Sequence, residues 1–486
     1  VFVMGEVRGE ITRHPNHRQR VILFLSAMRH FRDDLSSRGY RVEYQQLSDS
    51  NPAASLAELV ERNVSRHSPE KLVFLEPGRA DIQRSFESIA RDAGVRADVI
   101  DDDHFLLTRT EFAEWAQGRK SLVAESFYRM MRRKTGYLMD GGEPEGGEWN
   151  FDRENRESFS QPDGPSPPDI LRFEPDEITR EVTEQVDDLF PELSGTSDAF
   201  GWPVTPDQAH EALADFVSKR LPHFGTYQDA MWTGQKYLYH SVVAAAMNLR
   251  LLDPRHAVEA AVASYASGNA PLNSVEGFVR QIIGWREFIR GIYWLHQEKL
   301  SSGNALNATN DLPDFFWDGD TSMRCLSEVV QQLLETGYAH HIQRLMVAGL
   351  FCQLYGVDPK QVHDWFMALY VDSVEWVTLP NTAGMSQYAD DGIVGTKPYI
   401  ASGKYIDRMS NYCEHCRFDP GNATGDDACP FTTLYWDFIR RHEAKLESNG
   451  RTVLQVRNYQ RKSPQEKGAI TRRATLVNDM IADGQL

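Results

Sequence analysis

Up to about residue 102 the chain alternates between strand-like and helical hydrophobic periods; beyond residue 206 only the helical period persists. The spacing predicts strands over 1–7, 41–47, 71–77 and 97–102, with helices over 18–38, 55–67 and 81–94 between them. A helix between each pair of strands makes the strands parallel and covers both faces of their sheet. Residues 1–139 therefore read as an α/β, Rossmann-like parallel-sheet domain. It opens directly in a strand, and the pattern predicts one more strand upstream of Val1. Residues 140–205, which begin in a run rich in Gly, Pro and charge, read as an interdomain linker. Residues 206–486 read as a large all-α domain, with helical spacing around 208–219, 239–251, 255–267, 274–296, 323–354, 358–370 and 431–447. A Gly/Pro-punctuated stretch over 379–411 interrupts them.

Composition narrows the class. A chain of 486 residues exceeds one ordinary core, and 41% hydrophobic content excludes a disordered one. Lys and Arg total 52 against 70 Asp and Glu, a net charge of −18. The field of the whole molecule therefore repels nucleic acid, and any such contact needs a local basic patch. No apolar run approaches membrane-spanning length, nothing at the N-terminus reads as a signal peptide, and five Cys are too few for a secreted disulfide scaffold. The expectation is a soluble cytoplasmic protein with no membrane contact.

The strongest local signal is Cys413-Glu-His-Cys416, followed after twelve residues by Cys429-Pro430. Two cysteines three apart converge on one metal centre without closing a long loop, and a third in a Gly/Asp-rich loop fits the same site. The fourth ligand comes from Cys325, Cys352 or His415. Cys352 lies in an apolar helical run that suits a small buried hydrophobe, whereas Cys325 begins a helix that favours a thiolate. Cys325 is the better choice. Zinc and an iron–sulfur cluster use the same thiolates, and spacing does not separate them.

Three further segments combine polar groups with aromatics. Tyr338-Ala-His340-His341-Ile-Gln-Arg344 places His341 and Arg344 on one helix face. Asp372 to Met385 sets an acid and the amide of Asn381 in an irregular stretch that can face a planar ligand. Glu276 to Phe288 is a helix with Gln281, Trp285 and Arg286 on a surface unusual for pure core.

Gln281 with Trp285-Arg-Glu-Phe288, then the His-His-x-x-Arg run, then Asn381, resemble the flavin-binding helical domain of the photolyase/cryptochrome family. The cysteine set narrows the resemblance to the bacterial iron–sulfur branch, the photolyase-related proteins, whose characterised members repair (6-4) photoproducts. It covers nearly the whole chain, including Gly118–Leu122, Arg129–Gly136 and Trp149–Asp152. The resemblance implies an α/β antenna-binding domain followed by an all-α FAD-binding catalytic domain with a [4Fe-4S] cluster. It assigns the cluster to Cys325, Cys413, Cys416 and Cys429, leaving Cys352 structural. His341 matches the active-site His that serves as proton donor, with Leu345 where eukaryotic enzymes carry a second His. Gln281 stands where (6-4) enzymes have Gln and cyclobutane-dimer enzymes have Glu. Tyr399 and Tyr405 match tyrosines of the lesion pocket.

Cofactor contacts implied in the same way are His240, Ser241, Gln281, Arg286, Arg344, Asp372, Asn381 and Gly384. Trp365 and Trp317 match electron-relay positions, although Phe366 stands beside Trp365 where the branch often has Tyr. A 6,7-dimethyl-8-ribityllumazine antenna is usual in this branch. Glu6-Val7 and Ser26–Phe31 match its motif, while the family's first strand is absent. The implied partner is UV-damaged DNA, met by a monomer through Arg119, Lys120, Arg132, Arg133 and Lys134. Asp152 and Glu154 are candidates for Mg2+ bridging to that DNA. Two competing readings use the same features: a cryptochrome-type blue-light sensor with the same FAD and cluster, and a zinc-stapled helical DNA-binding protein.

Overall fold

The computed structural model describes residues 1–160 and 164–486. It is mostly helical, with its parallel strands confined to the first hundred residues. These are β1 (Phe2–Gly5), β2 (Val42–Gln45), β3 (Lys71–Leu75) and β4 (Arg96–Ile100). β1 pairs in parallel with β2, Phe2 opposite Val42, and β3 with β4, Lys71 opposite Arg96. The two pairs are not hydrogen-bonded to each other, so the single sheet expected from the sequence is divided. The cost shows in strand side chains left in water: Phe2 is 44% exposed and Ile100 52%.

Between the strands run helices Arg18–Ser37, Leu56–His67 and Ala80–Asp92, within two residues of their expected bounds. Their starts follow capping chemistry: Ser55 accepts from the Glu58 amide, and His17 from that of Gln19. His17 is wholly buried, and its Nε2 meets the Leu334 carbonyl oxygen at 2.9 Å, tying the first long helix to the helical region.

The expected linker is more structured than its composition suggests. Helix Glu177–Leu189, capped by Asp176, packs on Arg18–Ser37 with Val182 and Val186 buried between them. Amphipathic spacing over 177–189 outweighs the Gly/Pro-rich run before it. The expected helix over 239–251 shrinks to Ala244–Asn248. Ahead of it, Leu238 and Val242 take positive φ values of 44° and 51°, a strained conformation for bulky and β-branched residues. The expected 323–354 helix breaks after Thr336, where Gly337 takes φ 64°.

Three π-helical turns interrupt or extend helices of the second half: Arg280–Arg286, Arg344–Gly349 and Pro380–Ser386. Such turns are rare and collect at functional sites. Residues from all three face one cavity.

Candidate active site and cysteine centre

The cavity holds about 960 Å³, at the upper end of the roughly 300–1,000 Å³ usual for ligand pockets. On one wall Arg344 forms a two-pronged pair with Asp372, at 3.0 and 3.1 Å, and its Nε donates to the Ala339 carbonyl. The guanidinium lies 4.2 Å from the centre of the Tyr370 ring, which backs it from behind. Trp285 Nε1 donates to Asn381 Oδ1 at 3.0 Å, and Asn381 Nδ2 donates to the Val377 carbonyl. These bonds fix the amide at the cavity edge. Arg286 donates to the His104 carbonyl and stacks over Phe105 at 4.1 Å.

The opposite wall is built differently. His240 and His340 stack face to face, 4.4 Å apart and 13° from parallel. Among the described residues, neither ring nitrogen of His340 has a hydrogen-bond partner, nor does Nε2 of His240. Burial pushes the His240 pKa down to about 3, helped by the charges of His341 and Arg344. Burial and then His240 hold His340 well below the usual imidazole range. Burial favours the neutral form of both rings, and three nitrogens, two on His340 and one on His240, are left for a ligand to bond.

His341 opens into the cavity itself, while the enclosing wall and then Arg344 push its pKa down to about 4. Gln281, Tyr399 and Tyr405 share this chamber, as do Ser241, Arg286, Arg344, Asp372 and Asn381. One proposed contact is placed elsewhere. Gly384 is not among the lining residues: a Cβ there would meet Val394 at 2.5 Å and Asp390 Oδ2 at 2.8 Å, so a neighbouring loop needs this glycine.

Trp365 is fully buried behind the wall, donating to the Phe316 carbonyl at 2.8 Å. Its ring lies 5.0 Å from that of Phe366, which faces the cavity. Trp317, next to Phe316 in sequence, is 36% exposed.

Cys325, Cys413, Cys416 and Cys429 line a second, small pocket, closed by Met323, Ile406, Tyr412, Phe418 and Phe431. All four are free thiols. A Cβ at Gly403 would sit 2.8 Å from Cys429 Sγ, so glycine is required there. Burial, then the neighbouring cysteines, push Cys413 up to about 12 and Cys325 well above the thiol range; Cys429 rises to about 11. Four thiolates so placed need a multivalent cation to coexist. Among the described residues, three-membered donor groups within 4.8 Å of one another are limited to Asp102, Asp103 and His104. No three cysteine sulfurs are that close, whereas a tetrahedral zinc holds its sulfurs roughly 3.8 Å apart. Cys352 is buried in a separate apolar helix.

The basic segment does not gather as expected. Arg132 is wholly buried, donating to the carbonyls of Trp149 and Leu138, so it is no DNA contact. The helix Ala124–Thr135 turns it inward, opposite its neighbours. Arg133 stacks on Trp149, Lys134 pairs with Glu111, and Arg119 folds back over Trp115. Among the described residues, Lys120 alone of these five has no such contact. The Asp152 carboxylate is taken by Arg280, which removes half of the proposed cation site.

Several cavity residues escaped sequence reasoning: His340, Asp229, Arg156, Lys397 and Arg408. His340 is the first residue of the His-His-x-x-Arg motif but was given no role; the others converge from distant segments without a shared spacing.

Comparison with known proteins follows the same lines. Residues 1–202 match the family model of the deoxyribodipyrimidine photo-lyase-related proteins. A (6-4) photolyase of Agrobacterium fabrum is 45% identical over 467 residues, covering 95% of this chain and 91% of that protein. In fold, the chain resembles a bacterial class III photolyase from Agrobacterium tumefaciens (TM-score 0.52, 15% identity, 99% of this chain and 91% of that one). It also resembles an archaeal photolyase from Sulfolobus tokodaii solved with two FAD molecules (TM-score 0.53, 12% identity, 99% and 93%).

Proposed function

The chain belongs to the photolyase-related family, and from that premise we propose that it is a (6-4) photolyase, a light-driven repair enzyme for UV-damaged DNA. The observation that carries this reading is a single cavity joining two sets of groups. The Arg344–Asp372 pair and the unpartnered His240 and His340 nitrogens suit a large polar cofactor, and Gln281, His341, Tyr399 and Tyr405 suit the lesion.

The cofactor proposed is FAD, which supplies a light-driven electron when bound. The residues present fit it: the buried imidazole nitrogens lack partners, the volume is ample, and Ser241 adjoins the stacked pair. Arg344, locked by Asp372 and Ala339, keeps a positive charge at a fixed place on the wall. Asn381, held by Trp285, presents a fixed amide edge. In the protein alone His341 is neutral at pH 7. The negative charge of a ligand close to the ring works against the burial that depresses its basicity, and on this reading His341 carries a proton once the complex has formed. It then holds that proton at a ring nitrogen facing the damaged bases. Tyr399, Tyr405 and Gln281 orient those bases. The lesion must leave the duplex to reach them, and damage lowers that cost.

In the cysteine pocket we propose a [4Fe-4S] cluster on Cys325, Cys413, Cys416 and Cys429. The spread of the sulfurs favours it over a single zinc. Trp365 and Trp317 are proposed as the route by which electrons reach the cavity. No step is assigned to a lumazine antenna: both Glu6 oxygens are already taken by Arg29, Tyr44 and the Leu47 amide. None is assigned to Mg2+, because Asp152 is paired with Arg280.

The test is illumination of the reduced, flavin-loaded protein with an oligonucleotide carrying a defined (6-4) photoproduct. Restored pyrimidines support the reading. An unchanged lesion, with flavin bound and photoreduced, replaces it with the light-sensor reading.

A further inference from the structure

Two short segments carry the Arg344–Asp372 pair and the His340-His341 run, and each follows directly from the end of a helix. Residues 338–344 follow Arg324–Thr336, and residues 370–373 follow Pro359–Leu369. The last four carbonyls of a helix have no partner within it. Here they are met by one turn of the α/β domain, at the start of helix Arg18–Ser37. The His17 amide donates to the Ala368 carbonyl at 2.8 Å, and its Nε2 meets that of Leu334 at 2.9 Å. Gln19 Nε2 donates to the Glu335 carbonyl at 2.9 Å, and Arg20 Nη2 to that of Ser373, next to Asp372, at 3.1 Å. His17 Nδ1 accepts from the Gln19 amide, so both nitrogens of its neutral ring are used. The two segments also bond to each other, the Val371 amide donating to the Gly337 carbonyl at 2.9 Å. Glycine permits this: a Cβ at Gly337 would meet Val371 at 2.5 Å and His17 Nδ1 at 3.4 Å.

We propose that His17, Gln19 and Arg20 are positioning residues for the cofactor cavity, a clamp by which the α/β domain sets the place of Arg344, Asp372 and the stacked histidines. For the identity of the ligand the proposal rests on the reading of the cavity as a flavin site. Its physical argument is independent. All four acceptors are main-chain carbonyls, and each lies within four residues of one that lines the cavity. Holding a carbonyl fixes the path of the chain, whatever side chain it carries. The Arg344–Asp372 pair already ties the two segments from inside the cavity, which fixes their separation. The clamp fixes their position against the rest of the molecule. Arg20 also contributes charge. Burial pushes its pKa down to about 10, opposed by Glu10 and Asp372, so it stays cationic at pH 7. Asp372 therefore feels two guanidiniums, Arg344 through direct bonds and Arg20 at longer range. Arg18, in the same turn, bonds instead to Asp187, Pro191 and Leu193, away from the cavity.

The experiment titrates the flavin-free protein with FAD and compares Arg20→Met, Arg20→Lys and His17→Asn with the control Arg18→Met. Asparagine keeps the acceptor that caps the helix and is too short for the Leu334 carbonyl. The clamp predicts that Arg20→Met and His17→Asn each weaken FAD binding by roughly 3–10-fold, the scale of one lost hydrogen bond. Arg20→Lys, which keeps a donor and the charge, recovers most of that loss. Arg18→Met lowers the melting temperature and keeps the wild-type affinity. In the flavin-free protein, amide hydrogen exchange over 338–344 and 370–373 speeds up in Arg20→Met and not in Arg18→Met. Wild-type affinity in Arg20→Met, or an equal loss in Arg18→Met, overturns the clamp. Should His17→Asn not fold, the two Arg20 variants carry the test. If the wild type takes up no FAD, the flavin reading fails and the exchange rates decide the clamp: unchanged protection of both segments in Arg20→Met overturns it.

Discussion

Two buried pairs of titratable side chains, one in each half of the molecule, have opposite hydrogen-bond economies. Glu6 and Arg29 are both essentially inaccessible, bridged at 2.7 and 3.0 Å, with Tyr44, Leu47, Glu181 and Gln185 completing their bonds. His240 and His340 stack closely and leave three ring nitrogens with nothing to bond. A satisfied buried pair is scaffold. An unsatisfied one costs stability that only a ligand can return. The contrast separates the two regions by role without reference to any motif.

The largest test concerns the cysteine pocket, which shares the unsatisfied economy. Cys416→Ala should abolish the visible absorbance of the cluster and remove most soluble protein, because metal binding is part of the folding free energy. Normal yield and thermal stability would place this pocket with the scaffold. Next, His341→Ala should lower repair by about 10²–10⁴, the usual scale of a lost general acid, while flavin stays bound. Retained repair removes the proton-donor assignment. Arg29→Met strands the Glu6 charge and should destabilise the fold by about 3–5 kcal/mol in denaturant titrations, with repair per folded molecule unchanged. His340→Phe keeps the stack and deletes the idle nitrogens. It should leave the flavin-free protein as stable or more so, and weaken flavin binding roughly tenfold or more, the worth of one or two hydrogen bonds. A large loss of apo stability would break the comparison.

A further test is in pH. Burial pushes the His17 pKa down to about 4 in the folded protein, against 6.5 for the free side chain. Below pH 6.5 the unfolded chain binds a proton that the folded one does not. Stability from this group is therefore full above pH 6.5 and is lost as pH falls towards 4. A melting temperature flat across that window would show that His17 opens to water.

What the sequence disclosed was whatever local spacing enforces. Hydrophobic period located the helices of the first hundred residues, and Cys-x-x-Cys and His-His-x-x-Arg marked residues that line the two pockets. Register on a helix was harder: Arg132 sits among exposed basic neighbours, and only packing against Trp149 and Leu138 turns it inward. Backbone strain was invisible, since nothing in Leu238 or Val242 announces a left-handed conformation where helical spacing runs on. Gly384 entered as a cofactor contact through the family resemblance alone, yet Val394 is what approaches it. The lining by Arg156, Lys397 and Arg408 was beyond reach, because these residues meet only in three dimensions.

The π turns at Arg280–Arg286, Arg344–Gly349 and Pro380–Ser386 bear on how this architecture can change. A π turn behaves as an α-helix that has admitted one surplus residue. Removing a residue from any of them would give a more regular helix while swinging everything beyond it by about 100°. Arg286, Arg344 and Asn381 all ride on such turns. In this protein a single-codon deletion could improve a helix and dismantle a chamber wall in the same event, so the spacing of these segments is guarded by chemistry and not by folding.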